Sequence, residues 1–256
     1  MSWWIPPLLA VQFLTRIPVP GLNAITPEIA KSGLIKSVVW FPVVGGLVGA
    51  ITATTLIAAD TIWPRAVAVI LALIVEARLT GAFHEDAVAD FCDGFGGGMT
   101  PERIHEIMKD SRIGSYGTLG MGLAVTLRAA LMVTLPDTLI VPALIASASF
   151  GRYLAVSLMA VIPPFTQSIG LAKDVGAQAG IGQWLATSFL TLPFIVPLAL
   201  IIPLSVLIAA VAALLFACWF RHFLLRHLGG VTGDCLGFGV YVGQLLMLLA
   251  ATATVP

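Results

Sequence analysis

The sequence predicts an all-α, polytopic integral membrane bundle of about seven transmembrane helices. Two composition figures point there: the 256 residues are 59% hydrophobic and only 10% charged, and the mean hydropathy is +1.01. Soluble domains carry about 25% charged residues, so the solvent for most of this chain is lipid. The third observation is spacing. Apolar runs recur between charged or Pro/Gly breaks at close to the ~20 residues that cross a hydrocarbon core. They leave no room for a separate soluble domain, so residues 1–256 are expected to form a single transmembrane domain.

In chain order, Trp3 and Trp4 suit a membrane interface. Residues 3–14 are too short to cross and are broken by Pro6-Pro7, so they are expected to lie at the interface or re-enter. No basic n-region or small-residue cleavage site precedes Arg16, so the start does not read as a signal peptide. Spans are then expected near 38–59, 66–83, 115–135, 138–162, 184–202, 204–220 and 235–254. Basic residues cluster before the first span (Arg16, Lys31, Lys36), after the second (Arg103, Lys109, Arg112), after the fourth (Lys173) and after the sixth (Arg221, Arg226). With seven spans all four clusters fall on one side, which the positive-inside rule makes cytoplasmic, leaving the C-terminus outside. Zero formal net charge argues against nucleic acid as a partner. Cys92, Cys218 and Cys235 show no metal-type pairing and read as reduced packing residues.

Of thirteen acidic residues, seven (Glu85, Asp86, Asp90, Asp93, Glu102, Glu106 and Asp110) fall between positions 84 and 110. If the second helix continues through His84, then Asp86, Asp90 and Asp93 stand at i, i+4 and i+7 on one face. Carboxylates held so close repel unless a cation sits between them, and hard oxygen ligands suit Mg²⁺ or Mn²⁺. A solvated acidic helix end is the plain alternative. His84 is a ligand, a general base or an interfacial residue bonded to a carbonyl, while Glu85 points off the aspartate face. Gly94 through Gly98 are expected to stop the helix and leave flexible backbone that approaches a phosphate or merely turns the chain. Thr100-Pro101 reads as the start of a further helix. That helix delivers Lys109, Asp110, Ser111 and Arg112, cations beside Asp110 and opposite the acidic face that would hold metal and phosphate together.

Gly229-Gly230-Val231-Thr232-Gly233-Asp234 opens the last span and resembles an anion-binding turn, with Asp234 as N-cap, metal ligand or hydroxyl ligand. Arg16, before two prolines, is a phosphate ligand or a positive-inside anchor. Arg78, Arg128 and Arg152 lie inside expected spans, where charge is costly, and Glu76 is the candidate partner for one of them. Arg152 follows Gly151, which admits a close neighbouring helix.

With these residues laid out, the chain resembles the cobalamin synthase family of adenosylcobinamide-GDP ribazoletransferases. The resemblance is carried by Phe13 through Pro20, Phe41-Pro42 with the glycines that follow, and Gly81 through Gly94 with its His-x-Asp-x-x-x-Asp-x-x-Asp-Gly core. It continues through Ile107 to Gly114 and Gly229 to Gly237, all in family order. It implies an Mg²⁺-dependent enzyme of the bacterial inner membrane, its site facing the cytoplasm, acting late in vitamin B12 assembly. Such an enzyme joins adenosylcobinamide-GDP to α-ribazole or its 5′-phosphate and releases GMP, and other enzymes of cobalamin assembly become candidate partners. On this reading His84, Asp86, Asp90, Asp93 and Asp110 form the catalytic set, with Asp86, Asp90 and Asp93 as metal ligands. Arg16, Lys109, Ser111, Arg112, Arg152, Gly230, Thr232 and Asp234 then bind substrate or phosphate. The chain departs from the family pattern at Tyr241 and Gln244, where relatives have glutamates, and at Phe238, where they have alanine.

Two other readings compete. A transporter would hold its acids near the bilayer midplane and often show an internal repeat, whereas these cluster on one loop. A CDP-alcohol-type phosphotransferase is suggested by Asp90-x-x-Asp93-Gly94, but that family's downstream Ala-Arg and second aspartate pair do not follow.

Overall fold

The computed structural model describes residues 2–22, 25–165 and 179–253. Lys173, expected in a basic loop, lies outside them. A short helix α1 (Ile5–Leu14) opens the chain, starting beside the exposed Trp3. Helix α2 (Pro27–Ser37), capped by Thr26, runs through one 3₁₀ turn into α3 (Phe41–Asp60). Next come α4 (Arg65–Thr80), α5 (Phe83–Gly97), α6 (Pro101–Met108), α7 (Ser115–Thr134) and α8 (Asp137–Val161). The chain closes with α9 (Ile181–Ile201), α10 (Pro203–His227) and α11 (Gly233–Ala253). Among the described residues six helical segments are long and apolar enough to cross a membrane, seven if α4 and α5 count as one broken span. The chain is therefore an integral membrane protein by length and composition, close to the expected spans. The sixth expected span runs on to His227, so Arg221 and Arg226 sit on its last turns rather than in a loop.

Helix α8 is the centre, packed between α3, α9 and α11. Without a hydrophobic drive between helices in lipid, close backbone approach over small residues is what joins them. Gly45 and Gly49 of α3 face α8 so tightly that a Cβ on either would overlap the carbonyl oxygens of Ala148 and Leu144. On the opposite side Gly151 of α8 meets Val240 and Gly243 of α11 in the same way. Helices α7, α9 and α10 turn Leu119, Leu123, Phe189, Leu207 and Leu214 outward, as a lipid-facing rim should.

The continuation of the second helix into the acidic segment is corrected. Between α4 and α5 the axis bends by 87°. Gly81 ends α4 with φ +74°, and Ala82 precedes α5 with φ +55°, a left-handed conformation that L side chains rarely adopt. Leu79 O is taken by Arg16 N at 2.7 Å, which pins the end of α1 to the bend. The glycine run does stop the helix, with Gly98 as its extended C-cap, but only at its far end. Helix α5 runs to Gly97, and Gly94 and Gly96 make room for Met108 and the Tyr116 ring, so they serve packing rather than flexibility.

Candidate active site

Two polar clusters sit one above the other along α5. The deeper is buried except for Glu85, which is half-buried. Arg128 on α7 donates through Nη2 to both oxygens of Glu76 on α4, each at 2.8 Å, and Thr52 on α3 donates to Glu76 Oε2 at 2.7 Å. Glu85, on the first turn of α5, stands 3.8 Å from Arg128 Nη1, and the Tyr241 ring lies 5.7 Å from the Arg128 guanidinium. Beside this network His84, only 3% exposed, faces Arg152 at 3.5 Å from Nδ1 to Nη2. Arg152 itself is 0% exposed and, among the described residues, otherwise donates only to Ala148 O, at 3.1 Å. Glu76 thus has the partner the sequence suggested, and it is Arg128. Breaking a buried pair of this kind leaves an uncompensated charge and costs about 3–5 kcal/mol.

The upper cluster gathers the expected acids. Asp86 is exposed and Asp90 half-buried, one helical turn apart on α5. The charges acting on Asp90 are those of Asp86, Asp234 and Asp93, opposed by Lys109. Lys109 does not pair with Asp110. It reaches from the end of α6 to α11 and donates to Asp234 Oδ2 at 2.9 Å. Asp110 instead folds back on Arg112, accepting from its backbone N at 3.0 Å and from its guanidinium at 2.6 Å. Those bonds hold the Asp110 carboxyl down at about 2, so it is ionised at any working pH. Thr100 caps α6 as its sequence position implied, accepting from Arg103 N.

Asp93, expected as a third metal ligand, has another task. Its two oxygens accept from Gly114 N at 2.6 Å and Gly117 N at 2.8 Å, which caps the start of α7. Among the described residues no three His, Cys, Asp or Glu side chains converge into a complete metal site. The donor set still suits Mg²⁺, which keeps several waters and takes only one or two carboxylates plus substrate phosphate oxygens. Asp86 and Asp90 are the two carboxylates that would be available for it.

The remaining expected residues are scattered. Thr232, not Asp234, caps α11 by accepting from Cys235 N at 3.3 Å. The Gly230 turn is closed against 163–165, with Val231 N donating to Pro163 O and Phe165 N to Val231 O, so it offers no open anion nest. Ser111 is exposed, and the Arg16 side chain lies against Gly81 at the bend. Sequence reasoning passed over two residues. Glu85 belongs to the buried network, a placement that only the bend at 81–82 creates. His105, one turn before Lys109, is driven toward its neutral form by burial and then by the Lys109 charge, against the pull of Asp234.

A cavity of about 250 Å³ links the clusters. Lys109, Gly233 and Asp234 stand at one end, His84 and Arg152 at the other, with Phe13, Phe41 and Phe83 on its wall. Phe13 stacks on Phe41 at 5.7 Å and meets the edge of Phe83 at 5.6 Å.

Fold and site together define an integral membrane protein with a charged cluster in the lining of a cavity between its helices. Family comparison makes this specific: residues 6–252 match the model of the Cobalamin-5-phosphate synthase family, and the chain belongs to that family. The adenosylcobinamide-GDP ribazoletransferase of Vibrio cholerae is 36% identical over 96% of this chain and 92% of its own length. Proteins of the same name from Ralstonia nicotianae and Leptospira interrogans are 37% and 34% identical, over 96% and 95% of this chain and 93% of each relative. No solved structure matches.

Proposed function

We propose that this chain catalyses Mg²⁺-dependent transfer of the cobinamide phosphate of adenosylcobinamide-GDP to the ribose hydroxyl of α-ribazole or its 5′-phosphate. The observation that carries the proposal is the Lys109–Asp234 pair, from two helices, in the lining of one cavity, with Asp86 and Asp90 on the neighbouring α5. The hydroxyl oxygen attacks the phosphorus attached to the cobinamide aminopropanol, the bond to the GMP phosphate breaks, and the hydroxyl proton passes to a carboxylate of the cluster. Asp86 and Asp90 are the residues to hold Mg²⁺, whose chemistry here is neutralising charge on the transferring phosphoryl group. Lys109 supplies a point charge to the same group, and Asp93 keeps the start of α7 in place beside it. The basic residues around this site support a mouth that faces the cytoplasm at the inner membrane.

The test is GMP release from adenosylcobinamide-GDP in proteoliposomes with α-ribazole and Mg²⁺. Asp86→Asn and Asp90→Asn are each expected to lower it about 10²-fold or more while the protein remains folded in the membrane. Full activity in both variants contradicts the assignment.

A further inference from the structure

The cavity has a floor that the transfer chemistry does not use. Arg152 Nε is buried with no hydrogen-bond partner among the described residues, and Arg152 lines the cavity with His84. The acids near Arg152, Glu76 and Glu85, are engaged by Arg128. Two arginines and two glutamates already balance, so the floor needs a hydrogen-bond acceptor, not another charge. A phosphate would bring uncompensated negative charge among Phe13, Phe41 and Phe83, where an anion is poorly solvated.

Size narrows the occupant. Drug-sized ligands take cavities of about 300–1,000 Å³; at about 250 Å³ this one holds a single fused ring system and excludes a corrinoid. The wall is aromatic and aliphatic, with Leu236, Val240 and Met159 completing it. A guanine could accept from the guanidinium at O6 and N7, but its N1–H and exocyclic amine would then be left without acceptors among the apolar residues of the wall. A benzimidazole is flat and apolar, with one unsubstituted ring nitrogen that only accepts.

Resting on the transferase reading above, we infer that the cavity is the subsite for the base of the acceptor nucleoside. The ring nitrogen accepts from the Arg152 guanidinium, the phenylalanine rings pack on the base, and the ribose emerges at Lys109 and Asp234 beside Asp90. This replaces phosphate binding as the role of Arg152. The donor's guanosine and corrinoid stay outside the cavity.

The wild-type chain in proteoliposomes, with both substrates and Mg²⁺, tests this through free dimethylbenzimidazole as inhibitor. It is expected to raise the apparent KM for α-ribazole about tenfold and to move that for adenosylcobinamide-GDP by less than about twofold, while guanine at the same concentration inhibits against neither. No inhibition by dimethylbenzimidazole, or its competition with adenosylcobinamide-GDP, overturns the subsite, as does competition by guanine against α-ribazole. Ala155→Leu, which fills the cavity from α8, is expected to raise the α-ribazole KM about tenfold with little change in the donor KM, and the reverse split overturns the inference. A wild-type protein that releases no GMP overturns the transfer reading itself, whereas normal turnover with the wrong inhibition pattern overturns only the base subsite.

Discussion

Lys109 is the residue on which the site's electrostatics turn. It lies at the end of an eight-residue helix, yet its amine reaches Asp234 on the last helix and opposes the acids around Asp90. Lys109→Met is expected to cost about 10²-fold in kcat/KM for GMP release, as loss of one preorganised charge does. A second residue stores strain instead of charge. Ala82 holds φ +55° to start α5 across the bend, at a cost of about 1–2 kcal/mol for a side chain in that region. Ala82→Gly should therefore raise the thermal midpoint in detergent by a few degrees, and an unchanged or lowered midpoint contradicts the strain argument. None of this was readable at Ala82: nothing in an alanine marks a left-handed backbone, and only Gly81 before it hinted at a turn. The link from Lys109 to Asp234 spans 125 positions. It was hidden because each residue was read in its own segment, Lys109 as a phosphate-holding cation beside Asp110 and Asp234 as an N-cap or ligand at the start of the last span.

At the scale of elements, the spans were legible because apolar run length is set by the bilayer, and the ends of α3, α4, α7, α8, α9 and α11 fall close to where hydropathy put them. The glycines were not. A sequence cannot distinguish a glycine that frees the backbone from one that admits a neighbour, and Gly94 and Gly96 admit Met108 and Tyr116. The same ambiguity resolved the other way at Gly151, whose closeness to another helix was expected and whose partner is α11. Gly151→Leu would drive α8 and α11 apart and is expected to cost at least about 1–3 kcal/mol of overpacking strain, read as a lowered melting midpoint. Because α8 carries Arg152 and α11 carries Asp234, the same variant should lose transfer activity at temperatures where it remains folded. Asp93 makes a comparable point for α7: three aspartates on one helical face suggested three ligands, but the third ties α5 to the start of its neighbour.

For the molecule as a whole, the buried network of Glu76, Arg128, Glu85 and Tyr241 joins α4, α7, α5 and α11. Glu76→Ala leaves Arg128 without its bidentate partner and is expected to destabilise the bundle by about 3–5 kcal/mol. Removing both charges in Glu76→Gln/Arg128→Met should restore part of that loss in a detergent melt, and no recovery would contradict a pairing role. The architecture sets this charge-balanced network beside His84 and Arg152 in the cavity lining and puts Lys109 and Asp234 in the same lining, so one site joins an apolar recess to a charged rim. The most direct test of this account is GMP release from adenosylcobinamide-GDP by the purified chain in proteoliposomes, with α-ribazole supplied or omitted and Mg²⁺ present or chelated. The account predicts GMP, with formation of the joined corrinoid, only when both substrates and Mg²⁺ are present; GMP release without α-ribazole, or none with all three, would contradict it.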